Sequence, residues 1–267
     1  MTYGNAVLLG LIQGLTEFLP VSSSGHLAIA RNLLDYDAPG GALVEVFMHL
    51  GTALSIVVVF LSDIRALLVS SLGLARPGAW RSSYTDDESF RTVVLILWAS
   101  IPAGVVGLLF KDDIESLFDR IGVVGGLLCV TGVILALIPL ARGGQKGVEF
   151  RTATAMGLAQ AFAILPGISR SGATISAGLC AGGARAAVGR FAFLMALVPI
   201  LGAVVLHLVK IEDASATPWG PLLLGTAVAF ASGVGALLLL LRFVRRGHLW
   251  IFAPYCIAVG VWALSAG

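Results

Sequence analysis

The strongest constraint on this chain is the length of its apolar runs, which are about 20 residues each, the span an α-helix needs to cross the hydrocarbon core of a bilayer. Uninterrupted runs cover 42–61, 93–110, 121–141, 190–209, 220–241 and 249–266. Inside lipid every backbone N–H and C=O must find a partner within its own segment, so these six runs predict an all-α polytopic membrane protein. The bulk character agrees: 58% of residues are hydrophobic, 12% are charged, and the mean hydropathy is +0.96. A net charge of +2 spread over short loops, with no basic tail, argues against nucleic acid and leaves membrane lipid as the default partner. Cys129, Cys180 and Cys256 stand far apart without metal-ligand spacing and read as packing residues. No basic region and cleavage site precede the first polar cluster, so the first apolar segment is expected in the mature protein.

Two further apolar segments, 5–34 and 152–180, are broken in the middle by "LPVSSSGH" and "LPGISRSGAT". Proline and glycine end a helix there, and such backbone is tolerated at membrane depth only against protein or a wet cavity. The basic loops 62–92 (Arg65, Arg76, Arg81, Arg91), 142–151 (Arg142, Lys146, Arg151) and 242–248 (Arg242, Arg245, Arg246) are placed in the cytoplasm. The more acidic loops 111–120 and 210–219 are placed outside. These assignments agree only if 152–180 enters and returns on the cytoplasmic side, ending near Arg185 and Arg190. By analogy 5–34 is a hairpin from the outside, with both termini outside; a single crossing with the N-terminus inside is the competing topology.

The broken segments also match each other. "GLIQGLTEFLPVSSSG" from Gly10 and "GLAQAFAILPGISRSG" from Gly157 share GL-x-Q and a closing S-x-S-G, with the Leu-Pro pair slipped by one residue. Residues 1–267 therefore read as one membrane domain of two copies, 1–141 and 152–267. Each is a re-entrant hairpin followed by three spans. Three is odd, so the copies have opposite orientation, an architecture that sets its site near the midplane where the broken helices meet.

Those breaks collect the unusual chemistry. Glu17 follows Gln13 by four residues on one helix face, and Pro20 leaves Ser22, Ser23, Ser24 and His26 on the first break. The second carries Ser169, Arg170, Ser171 and Thr174. An ionisable group at this depth costs several kcal/mol unless paired or wet, so Glu17 and Arg170 are either a structural ion pair between hairpins or a functional pair. Serine and glycine in membrane helices often serve packing alone. Taken together, however, a forked guanidinium, half-helix N-termini, hydroxyls, an imidazole and a carboxylate suit a phosphate ester. His26, beside the serines and Glu17, is placed as acid or base, while His49, His207 and His248 are assigned structural roles.

With "QGLTEFLPVSSSGH" and "PGISRSGAT" in view, the chain resembles the undecaprenyl pyrophosphate phosphatases, integral membrane enzymes of the bacitracin-resistance type. The first stretch matches that family's (E/Q)xxxE and PVSS(S/T)GH region, the second its PGxSRSxAT motif, and the hydropathy pattern agrees from end to end. The resemblance implies removal of one phosphate from a C55 isoprenyl pyrophosphate, in the bacterial cytoplasmic membrane, at a site open to the outer face. It recycles the lipid carrier of cell-wall synthesis.

Carried over by position, Glu17, Ser22, Ser23 and His26, with Ser169, Arg170, Ser171 and Thr174, form the functional set, and Gln13 stands where the family often has Glu. In this reading Ser23 is the candidate nucleophile, with His26 or water as alternatives. His26 moves the proton, and Arg170, Ser169 and Thr174 grip the pyrophosphate. Glu17 orients His26 or helps to hold a divalent cation, Mg²⁺ or Ca²⁺. Phe18, Leu19, Phe162 and Leu165 are assigned to core or lipid-facing surface in preference to a prenyl-tail channel.

Two other functions fit the same pocket: a transporter of polyprenyl phosphate lipids, which needs the binding site but no nucleophile, and a chain that has lost activity, to which Gln13 alone points. The oligomeric state is open, a homodimer included.

Overall fold

The computed structural model describes residues 1–33, 41–75, 78, 80–141, 143–208 and 219–266. Arg76, Arg142, most of the loop 210–219 and the side chain of His207 lie outside what it describes. Thirteen α-helices follow one another among the described residues: α1 (Tyr3–Phe18), α2 (Ser23–Leu33), α3 (Gly41–Val59), α4 (Leu61–Ser71), α5 (Trp80–Asp86), α6 (Glu88–Leu109), α7 (Lys111–Leu117), α8 (Ile121–Leu137), α9 (Phe150–Phe162), α10 (Arg170–Cys180), α11 (Arg185–Leu208), α12 (Trp219–Arg246) and α13 (Ala253–Ala266). No strand occurs among these residues; a single bridge pairs Lys146 with Gly183.

Five helical stretches, Glu88–Leu109, Ile121–Leu140, Arg185–Val205, Trp219–Arg246 and Leu249–Ala266, are long and apolar enough to cross a membrane. A sixth crossing is reached when α3 and α4 count as one span bent by 87°. The bend falls at Phe60, and the basic stretch read as a loop from residue 62 opens with α4 and later holds α5. Large apolar side chains stand outward, among them Leu108 and Leu109 at 73% and 71% exposure, as lipid-facing surface requires.

The two broken segments are two helices each. At 1.5 Å per residue α1 is about 24 Å long and α9 about 20 Å, short of a hydrocarbon core of about 30 Å, so neither half crosses alone. Each folds back on its partner, α1 against α2 and α9 against α10. The ends of the second pair also meet. Gly144 N–H donates to the Gly183 carbonyl at 3.1 Å and Ala184 N–H to the Lys146 carbonyl at 2.9 Å, tying the chain before α9 to the chain after α10.

Small residues let the helices approach closely. Gly10 and Gly14 of α1 lie on Gly225, Ala229 and Gly233 of α12, and Gly125 of α8 faces Gly260 of α13. A Cβ on Gly14 would stand 2.6 Å from the Ala229 carbonyl oxygen, and one on Gly125 would stand 2.7 Å from that of Gly260. Backbone cannot yield as a side-chain tip does, so the first crossing fixes where α1 sits and the second holds α8 on α13.

Gly14→Ala should therefore lower the thermal unfolding midpoint of the detergent-solubilised protein, by overpacking of about 1–3 kcal/mol. Gly126→Ala, whose Cβ would meet nothing nearer than Leu264 Cδ2 at 4.0 Å, should hold or raise it through helix propensity. Differential scanning fluorimetry of the two variants checks the opposite signs.

Candidate active site

Both breaks are built the same way. Ser22 precedes α2, and its Oγ accepts from Gly25 N–H at 3.2 Å; Ser169 precedes α10, and its Oγ accepts from Gly172 N–H at 3.1 Å. A second serine hydroxyl pairs with each cap, Ser24 with Ser22 and Ser171 with Ser169, both at 3.2 Å. Serine at such a position satisfies one of the amides that every helix start leaves open. The others, with the helix dipole, make each half-helix start a place for an anion.

Ser22 is the one non-glycine residue with positive φ among the described residues, at 68°. That conformation costs about 1–3 kcal/mol and persists where its surroundings over-determine it. The surroundings here include His26, whose backbone N–H and ring Nδ1–H both donate to the Ser22 carbonyl, at 3.1 and 2.8 Å. Since a carbonyl only accepts, Nδ1 carries the proton in the neutral ring, and Nε2 accepts from the Tyr255 hydroxyl of α13 at 2.7 Å.

Between the breaks lies a cavity of about 520 Å³, within the range of small-ligand sites. Glu17, Ser22, Ser23, Ser24, His49, Gln160, Ser169 and Arg170 line its polar part. Leu27, Leu108, Phe118, Ile164 and Val198 line its apolar part. Because Leu108 is also among the most exposed apolar side chains, the apolar wall runs out to the lipid-facing surface.

Glu17 is the electrostatic centre, its side chain 5% exposed. Ser23 Oγ–H donates to Glu17 Oε2 at 2.6 Å, and Gln13 Nε2–H donates to the same oxygen at 3.0 Å. Arg170 Nη1 stands 3.5 Å from Oε1 and His49 Nε2 3.7 Å from Oε2. An isolated buried carboxylate is prohibitive; two hydrogen-bond donors, with a guanidinium at 3.5 Å and an imidazole at 3.7 Å, compensate this one. The Ser23–Glu17 contact has the reach of a nucleophile and its base, with a guanidinium on the other oxygen.

The sequence-predicted residues thus divide. Glu17, Ser22, Ser23, Ser169 and Arg170 come together on the cavity. Gln13, wholly buried, stands behind Glu17 and orients it. Ser171 and Thr174 are buried behind Arg170, where Thr174 Oγ1–H donates to the Arg170 carbonyl at 2.7 Å. His26 does not line the cavity. Leu27, four residues after Ser23, holds the cavity face, and His26, one residue earlier, is turned by about 100° toward α13.

Phe18 is core, edge-on to Phe193 at 5.8 Å between centroids, and neither it nor Leu19, Phe162 and Leu165 lines the main cavity. Cys256 packs in the core as expected and also donates its thiol to the Pro20 carbonyl at 3.5 Å.

The sequence singled out neither His49 nor Gln160 on the cavity, although the shared GL-x-Q pairs Gln160 with Gln13, nor Thr131 behind the second break. Thr131 of α8 donates to the Gly167 carbonyl at 2.8 Å and accepts from Ser169 N–H at 3.0 Å, clamping the second break. Gly167 itself has φ 104°, and a Cβ there would stand 2.5 Å from the Val124 carbonyl oxygen.

Among the described residues no group of three His, Cys, Asp or Glu side chains is placed to hold a metal. Glu17 offers a single carboxylate to the cavity, which suits a cation such as Mg²⁺ only when substrate phosphate oxygens supply most of its ligands.

Thr131→Val should keep the core volume yet leave the Gly167 carbonyl and the Ser169 amide unpaired. The expected loss is about 1–3 kcal/mol of stability per group, with faster hydrogen exchange at Ser169, both measurable on the detergent-solubilised protein.

Residues 6–262 match the model of the family described as Bacitracin resistance protein BacA. Among similar curated proteins, the undecaprenyl-diphosphatase of Desulforapulum autotrophicum is 40% identical, with 98% of this chain and 97% of that protein covered. That of Salinibacter ruber is 41% identical, with 97% of each covered, and that of Desulfosudis oleivorans is 41% identical over 95% and 94%.

Proposed function

The chain belongs to the bacitracin resistance protein BacA family, and from that membership and the cavity we infer that it is an undecaprenyl-diphosphatase. It hydrolyses undecaprenyl pyrophosphate to undecaprenyl phosphate and inorganic phosphate. The observation that carries the mechanism is the 2.6 Å hydrogen bond from the Ser23 hydroxyl to the Glu17 carboxylate, opposite Arg170.

In the reaction that follows, the pyrophosphate enters between the two half-helix starts, with Arg170 and the first-turn amides of α2 and α10 on its oxygens. Ser23 Oγ attacks the terminal phosphorus while its proton passes to Glu17. The bond from that phosphorus to the bridging oxygen breaks, and undecaprenyl phosphate leaves. Water then attacks the phosphoserine phosphorus, the bond from phosphorus to Ser23 Oγ breaks, and Glu17 returns its proton to the serine oxygen as inorganic phosphate leaves. Arg170 stabilises the charge that spreads over the transferred phosphoryl group.

Glu17 takes the proton-transfer role that the sequence suggested for His26, and His26 holds the Ser22 turn that presents Ser23. A divalent cation, when bound, is held by Glu17 and substrate phosphate oxygens and neutralises phosphate charge. The prenyl tail follows the apolar wall past Leu108 toward lipid.

The chain is two copies, 1–141 and 152–267, of a re-entrant hairpin and three spans in opposite orientation, set in the bacterial cytoplasmic membrane with the site open to the outer face. Matching contacts support the repeat. Cys256 of α13 donates to Pro20 and Thr131 of α8 to Gly167, at the same place relative to the capping serines Ser22 and Ser169. Likewise α1 packs on α12 as α9 packs on α6, and α3 on α12 as α11 on α6. The hydrogen bonds joining Gly144 and Lys146 to Gly183 and Ala184 support the return of the second hairpin to its own side.

Phosphate release from undecaprenyl pyrophosphate by the purified protein tests the reading. Ser23→Ala, Glu17→Gln and Arg170→Ala, each checked for an intact thermal transition, should lower kcat/KM by about 10²–10⁴. No release from folded wild type, with or without Mg²⁺ or Ca²⁺, would overturn hydrolysis; retained lipid binding in that case would favour transport.

A further inference from the structure

Gln160 lies in the last turn of α9, 2% exposed, on the wall of the cavity, and neither its Nε2 nor its Oε1 has a hydrogen-bond partner. Buried side-chain amides are nearly always paired, since leaving donor and acceptor both unmet forfeits their hydration for nothing. Both ends are unmet, so the shortfall is the same in either orientation of the amide.

Its counterpart in the first hairpin shows what is missing. Gln13 and Gln160 hold the same place in the matching stretches from Gly10 and Gly157, and both are buried. Gln13 donates to Glu17, one helical turn on, at 3.0 Å. Four residues on from Gln160, past the end of α9, stands Ile164, which also lines the cavity and offers no side-chain acceptor. The second carboxamide is left without a partner on its own helix, and the cavity that Gln160 lines is where a ligand can bring one.

That partner must accept from Nε2–H in a cavity that Arg170, on the other side of the same break, also lines. A phosphate oxygen does so, and an associated P–OH or water can donate to Oε1; a prenyl chain can do neither. We propose that Gln160 is a further substrate-binding residue, whose carboxamide takes an oxygen of the pyrophosphate headgroup. The assignment rests on the phosphatase reading for the identity of the ligand.

The test uses the full-length protein carrying Gln160→Leu or, as a second variant of unbranched shape, Gln160→Met. Three quantities are read: the ligand-free thermal midpoint, kcat/KM on undecaprenyl pyrophosphate, and the midpoint shift produced by inorganic pyrophosphate. Removing an amide that has no partner should leave the ligand-free midpoint at or above that of wild type. It should also cut kcat/KM about ten- to hundredfold, mainly through KM, and abolish the pyrophosphate shift.

Unchanged kcat/KM with an unchanged shift would overturn the proposal, as would a wild type that pyrophosphate does not shift. A lower ligand-free midpoint in both variants would also overturn it, because a paired amide would then have been removed. If wild type releases no phosphate, hydrolysis fails while the pyrophosphate shift still decides the role of Gln160.

Discussion

A buried carboxylate in an apolar fold is tolerable only if donors surround it, and the arrangement around Glu17 follows from that requirement. Arg170 and His49 approach it from other helices, Gln13 fixes it from one turn back, and Ser23 turns its hydroxyl onto it across the break. Taking away one partner of such a group exposes the rest to the desolvation cost that the set had offset. The set also leaves the serine oxygen with its proton aimed at a base. The contacts that stabilise the buried charge are thus the contacts that set the serine hydroxyl on it.

The site depends on two helices stopping at membrane depth, which leaves unpaired backbone where no water can be assumed. The same solution serves both breaks: a serine cap on the starting half-helix, and a hydroxyl or thiol from a neighbouring helix on the turn carbonyl. Close glycine crossings hold α1 on α12, and hold α8 and α13, which carry those two groups, against each other. Packing decides where the breaks are, and the breaks decide where an anion can be bound.

Much of this was legible in the sequence because it is written in length and punctuation. The apolar runs reappear as helices, and the Pro-, Gly- and Ser-rich interruptions reappear as breaks between paired helices. The bend between α3 and α4 was not, since "VVVFLSDI" contains no proline or glycine to mark it. Nor was the rotation of each helix, which is set by what it packs against. His26 adjoins the serines in sequence yet faces Tyr255, whereas His49, amid an apolar run, faces Glu17. Thr131 and Gln160 are single polar residues of a kind that usually serves packing, and only the tertiary arrangement shows one clamping a turn and the other facing the cavity.

The two breaks are alike in construction but not in chemistry. Where the first half-helix opens with Ser23 the second opens with Arg170, and where the first has Gln13 paired to Glu17 the second has Gln160 above Ile164. A carboxylate at both breaks would place two like charges about one small cavity and repel the phosphate they were meant to hold. With one carboxylate and one guanidinium, the first break carries a hydroxyl aimed at a carboxylate while the second carries a positive charge at the same cavity. Two similarly built breaks bring both to the same cavity, and the residues in which the breaks differ give it a hydroxyl–carboxylate pair on one side and a guanidinium on the other.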